Sequence, residues 1–213
     1  HINRSQPNPG VGFNLHIQGI APYWRLAYET STTNNNFEIG TYGMHLKSTP
    51  NAVTGLKDGF TDWAVDFQYD RIIPQFKNDV LSIRGTYIRE NSSLVATLAA
   101  EGAAQSRHHL NTVQLNAEYH FGTKLSGTAG FFNITGTADS VLFSQAPISG
   151  SANGSPASTG YILNLSWWPQ QNIDLAAQYT GYTRFNGAGT NYDGAGRNAG
   201  GNNSIYLLAR FVF

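Results

Sequence analysis

Along this chain, apolar and polar side chains alternate one by one for ten residues or so at a time. In Thr112–Phe121, the residues Val113, Leu115, Ala117, Tyr119 and Phe121 take one set of positions, and Thr112, Gln114, Asn116, Glu118 and His120 take the other. In 62–70, Trp63, Val65, Phe67 and Tyr69 oppose Asp62, Asp66, Gln68 and Asp70. In 172–184, Ile173, Leu175, Ala177 and Tyr179 oppose Asp174, Gln178, Thr180 and Arg184. A period of two places successive side chains on opposite faces of a strand. Such runs exceed the usual strand of about five or six residues. They suit the roughly nine to eleven that a tilted strand needs to cross a bilayer.

Nine strands are expected, near 22–30, 36–47, 60–70, 77–90, 108–121, 124–135, 158–168, 172–185 and 203–213. Short turns at 31–35, 71–76, 122–123 and 169–171 alternate with long loops at 48–59, 91–107, 136–157 and 186–202. Short connections on one side and long ones on the other are the habit of outer-membrane barrels, whose short turns are periplasmic. Strands running toward the short-turn side end in aromatics: Tyr28, Tyr69, Tyr119 with Phe121, Trp167 with Trp168, and Phe211 with Phe213. Rings with one wet edge favour the membrane–water boundary, so these residues read as a girdle. The expected fold class is therefore all-β, an antiparallel transmembrane β-barrel of outer-membrane type with about 9–10 strands. Near Ala21-Pro22 the apolar phase switches between Ile17 and Trp24, which predicts a kinked strand or two pieces. Residues 1–213 read as a single barrel domain. Single-chain bacterial barrels have even strand numbers. The odd count reads as the C-terminal portion of a longer barrel, although a strand near 12–20 would also restore parity.

Composition agrees with a polar interior and an apolar exterior. Charged residues make up 12%, aromatics 13%, and glycine 23 of 213 residues, yet mean hydropathy is −0.30 because Asn, Gln, Ser and Thr fill the rest. Thirteen basic and thirteen acidic residues cancel, which argues against a nucleic-acid partner. No apolar run reaches the roughly 18 residues of a membrane helix. There is no cysteine, so disulfides and covalent c-type haem attachment have no residue here. The chain opens at His1 without a charged-then-apolar leader, and any export signal is expected outside it.

Several segments have familiar wording: Gly19-Ile-Ala-Pro-Tyr-Trp-Arg-Leu-Ala-Tyr-Glu29, Phe37-Glu-Ile-Gly-Thr-Tyr-Gly43, and Gly160 to Leu165. The tail stretches 178–187, 191–198 and 202–207 are the most specific. They resemble the C-terminal half of bacterial outer-membrane cytochrome c–porin fusions, in which a haem-binding segment precedes a porin-like barrel. The terminal Phe213, with apolar residues at alternate positions before it, resembles the signature by which outer-membrane proteins are recognised for assembly. The resemblance implies a bacterial outer-membrane location, a lipid bilayer as partner, and electron transfer across the membrane. The haem c it implies belongs to an upstream segment or a partner cytochrome. The reading from the residues alone is a passive diffusion porin for small solutes, with room for an oligomer.

The expected lumen-facing residues are Asp62, Asp66, Asp70, Arg84, Glu90, Glu118, His120, Asp174, Arg184 and Arg210, since charges facing lipid are costly. The expected girdle comprises Tyr28, Tyr69, Tyr119, Phe121, Trp167, Phe211 and Phe213. No catalytic or metal-binding pattern emerges. His108 and His109 are adjacent on a strand and so face opposite ways, which predicts a solvated pair at a loop exit. Asn191–Asn198 lacks the spaced carboxylates of a calcium loop and reads as a turn. Residues 93–105 are rich in Ala and Leu and predict a short helix that folds inward over a pore or outward as a cap.

Overall fold

The alternating runs become the strands of one antiparallel sheet. A computed structural model describes residues 16–50, 55–76 and 79–211. The strands are β1 (His16–Ile17), β2 (Tyr23–Ser31), β3 (Asn35–Thr49), β4 (Asp58–Ile73), β5 (Asp79–Ser93), β6 (Arg107–Phe121), β7 (Leu125–Gly136), β8 (Ser158–Gln170), β9 (Ile173–Arg184) and β10 (Ser204–Phe211). From β3 to β10 each strand pairs with the next in sequence. β1 and β2 both lie along the free side of β3, so the sheet is nine strands wide. It is not closed: β10 is one edge, and β1 with β2 forms the other.

The kink expected at Ala21-Pro22 is a two-piece strand. Ile17 opposes Ser48 and Tyr23 opposes Met44, so two extra residues bulge out between the pieces. Gly19 turns there with φ +77°, a left-handed conformation that glycine adopts without steric cost. An even insertion preserves the side-chain phase. Ile17 therefore shares the face of Tyr23, opposite Trp24.

Like positions align across the whole sheet. Val65, Tyr87 and Val113 oppose one another in series, as do Phe67, Gly85, Leu115, Phe131, Tyr161 and Gly181 one step along. Several rings of this apolar face lie over glycines of the neighbouring strand, where a Cβ would strike them: Trp24 over Gly43, Phe67 over Gly85, Tyr161 over Gly181. The other face carries Asp66, Thr86, Gln114 and Phe132 in one row and Gln68, Arg84, Asn116 and Gly130 in the next. On this polar face even small side chains, Ala64, Ser82, Ser126 and Ser166, are buried. On the apolar face Val65, Leu115, Phe131 and Leu163 stay 37–49% exposed. The polar face is thus the crowded, concave side of a curled sheet, and the convex side is apolar and bare.

Candidate functional site

The concave face collects ionisable side chains from β2 to β6, β9 and β10. Arg25 on β2 bridges two carboxylates, donating to Glu38 on β3 at 2.9 Å and to Asp66 on β4 at 2.8 Å. Further along, Arg84 lies 3.8 Å from Glu118, which also meets His120 at 3.2 Å and accepts from the Ser126 hydroxyl. Ser82 donates to Asp70 at 2.6 Å, and Gln68 to its other oxygen. Arg210 and Asp174, opposed in register, are 3.9 Å apart. His120 stacks on Trp168, whose side chain thereby departs from its girdle neighbour Trp167.

Of the expected lumen set, Asp62, Asp66, Asp70, Arg84, Glu90, Glu118, His120, Asp174 and Arg210 share this concave face. Arg184 does not. Gly160 opposes Tyr182, but Thr159 opposes Arg184, so β9 carries one extra residue at this point. A one-residue bulge reverses the facing of everything beyond it. The Arg184 guanidinium accordingly donates to Thr159 at 3.0 Å and to Asn133 at 3.4 Å on the convex side. The expected set also lacks Arg25 and Glu38, the most tightly knit pair of all. Their signal lies in β2 and β3, where Arg25 falls between Trp24 and Leu26, and Glu38 between Phe37 and Ile39.

The expected girdle residues Tyr28, Tyr69, Tyr119, Phe121, Trp167 and Phe211 all lie on the convex phase at the short-turn end; Phe213 lies outside the described residues. Tyr119 donates to Asp79, and Tyr69 to Asn35, so the hydroxyls reach the polar turns while the rings stay on the sheet. A second aromatic pair stands on the same face toward the opposite end, where Trp63 packs edge-on to Tyr87 at 5.4 Å, while Phe131 and Tyr161 lie in the register row of Phe67 and Leu115.

Three buried carboxylates fasten the long loops over the concave side. Asp58 accepts from the backbone N–H groups of Ala96 and Thr97 and from the Thr97 hydroxyl, which pins the short helix α1 (Val95–Ala99). Leu94 and Ala103 pack on Phe60, with Leu46 and Leu142 against them. Phe60 and Leu46 belong to the concave phase, so this loop folds inward. Asp139 ties 137–157 to the same loop, accepting from Ala104, Gln105, Val141 and Leu142 N–H groups and meeting His108 Nε2 at 2.8 Å. His108 is therefore buried and bound, whereas His109 faces out and contacts Thr137. Asp193 accepts from Ile148, Ala195 and Arg197, which makes 191–198 a self-bonded turn linked to the second loop.

Burial pushes the Asp139 carboxyl up, but the Leu142, Val141 and Ala104 N–H groups and the His108 imidazole outweigh it and hold it at about 2. A folded-state value below the unfolded 3.8 stabilises the loops above about pH 4, and that contribution is lost as pH falls toward 2. The difference corresponds to about 2 kcal/mol. Hydrogen exchange at Ala104 and Leu142, corrected for the intrinsic rate, should accelerate between pH 5 and pH 2 while strand amides hold steady. Unchanged loop protection would count against the role given to Asp139.

A curled antiparallel sheet with an apolar convex face, a charged concave face and loops gathered at one end defines the class of protein. No family model, curated protein or solved structure matches this chain. Among the described residues no group of His, Asp or Glu side chains is arranged to hold a metal ion.

Proposed function

We propose that the sheet closes into a β-barrel of the bacterial outer membrane, and that its polar face lines a pore of porin type for small solutes. The observation that carries this reading is the sorting of side chains between faces. Glu29, Glu38, Asp62, Asp66, Asp70, Glu90, Glu118 and Asp174 share the concave face with Arg25, Arg84 and Arg210. The convex face, from Trp63 to Tyr69 and from Val113 to Phe121, is apolar for four or five outward positions per strand. With a rise of about 3.4 Å per residue and a tilt near 40°, such runs cover roughly 16–21 Å, most of the apolar band of about 25 Å on outer-membrane barrels. The inward-folded loops narrow the mouth. Insertion of the full chain into planar bilayers should give discrete channel currents, and inserted protein that carries no current would reject the pore.

Eight carboxylates against three arginines make the interior acidic, although the chain as a whole is neutral. A field of one sign in a low-dielectric channel raises the local concentration of counter-ions. The reversal potential in a KCl gradient should therefore report a several-fold preference for K+ over Cl−, and replacing Asp62, Asp66 and Asp70 together by Asn should reduce it. An anion preference in the wild type would contradict the assigned face.

The electron-conduit reading rests on the resemblance of the 19–43 and 178–207 segments to cytochrome–porin fusions. Covalent attachment of haem c requires cysteine thiols, and this chain has none. The residues present do not fit the group, so a haem would have to come with another segment or a partner. Co-purification of a Soret-absorbing haem with the protein from its own membranes tests that arrangement.

A further inference from the structure

The convex face is not apolar throughout. From the level of Trp63 toward the long loops, the outward positions turn polar and basic. In register they run Arg89–Asn111–Thr135, then His45–Thr61–Asn91–His109, then Lys47–Gly59–Ser93–Arg107. Arg184 joins this belt through the bulge in β9, beside Asn133 and Thr159. No carboxylate occupies an outward position at this end of the sheet among the described residues; the acidic side chains of β2 to β6 there all face inward.

The side chains that hold these cations carry no opposing charge. Arg89 donates to the Asn91 and Asn111 amide oxygens at 3.3 Å each, and Tyr87 donates to the same Asn111 oxygen at 3.0 Å. Arg184 is held by a hydroxyl and an amide. Neither Lys47, Arg89, Arg107 nor Arg184 forms an ion pair with a described residue. Between His45, Thr61, Arg89, Asn91, Arg107 and His109 the surface forms an open groove of about 400 Å³ with no acidic side chain in its wall. Guanidinium groups oriented by neutral partners keep their donors and their full charge for an incoming anion, and their planar fork matches phosphate oxygens.

We propose that this belt binds the phosphate groups of an anionic lipid headgroup, on the leaflet that meets the long-loop end. The inference rests on the reading of the convex face as lipid-facing. Continuity selects a lipid over other phosphates, because the cations begin level with Trp63 and one step beyond Tyr87, where an acyl chain on the apolar face passes into its headgroup. At this end of the sheet the carboxylates thus share one face, and cations with no acidic partner among the described residues share the other. Surface cations attract anionic headgroups, and their contributions accumulate along a belt.

The test uses the full chain folded in neutral phosphatidylcholine nanodiscs, with a diphosphorylated glycolipid titrated in and retention read by native mass spectrometry. Wild-type protein should retain the phosphorylated lipid over phosphatidylcholine. A Lys47→Gln, Arg89→Gln, Arg107→Gln variant should bind it roughly tenfold or more weakly. Arg71→Gln, at the short-turn end, should bind like the wild type. Equal retention by the triple variant overturns the belt while leaving the barrel intact, and so does displacement of the lipid by millimolar inorganic phosphate, which would mark a phosphate site. Failure of the wild-type chain to enter nanodiscs at all would overturn the lipid-facing reading and this inference with it.

Discussion

Asp139→Ala should unfasten the long-loop layer while leaving the strands in place. The carboxylate, 3% exposed, accepts from Ala104 at 3.0 and 2.9 Å, from Gln105 at 3.2 Å, and from Val141 and Leu142 at 2.9 Å, and it meets His108 at 2.8 Å. Truncation leaves all of these donors facing a small void. A buried donor without a partner costs about 1–3 kcal/mol. Water entering the void offsets part of that sum, which leaves a local loss of about 3 kcal/mol. The amides of Ala104, Gln105, Val141 and Leu142 should then exchange roughly a hundredfold faster. Strand amides such as Leu115 should exchange as before, because their partners are the neighbouring strands. Asp139→Asn keeps the shape and one acceptor oxygen, so it should fall between the two. Wild-type protection at all four loop amides in Asp139→Ala would remove the carboxylate from its assigned role.

That carboxylate also marks where reading the sequence stops. The strands and faces are visible in the chain because a period of two is local: each residue in 62–70 or 112–121 announces its face through its immediate neighbours. A fastening such as Asp139 to Ala104 or Asp58 to Ala96 joins residues 35 and 38 apart, and no local pattern links them. His108 shows the same limit, since its place at a loop exit suggests solvent while the fold brings Asp139 to it. Arg184 fails for another reason. The phase of β9 holds from Ile173 to Tyr182, and a single bulged residue, which depends on how Thr159 and Gly160 pair, then reverses it. Arg25 and Glu38 were within reach of the periodicity argument, since both stand between apolar neighbours. Neither belongs to a repeat of like charges such as Asp62, Asp66 and Asp70 form in β4.

The same two-faced sheet permits a measurement in which magnitude decides whether lipid or water lies outside it. Leu115 sits at the middle of the apolar face, between Gly85 and Phe131 in register, and is 45% exposed. If that face met water, Leu115→Arg would remove an exposed apolar side chain and change stability by no more than about 0.5 kcal/mol. If it meets the hydrocarbon core, an arginine near the midplane costs about 2–4 kcal/mol. Gln114→Arg supplies the control, because position 114 faces inward beside Thr86 and Phe132, where a cation has water and carboxylates nearby. In vesicle-folded protein, urea titration should place Leu115→Arg well below the wild type and Gln114→Arg close to it. The sign of the difference matters as much as its size, since the two positions are adjacent and share strand, depth and backbone surroundings. A destabilisation common to both would implicate the strand rather than the face. Two near-neutral substitutions would leave the convex surface in water, and neither the pore nor the headgroup belt would survive that result.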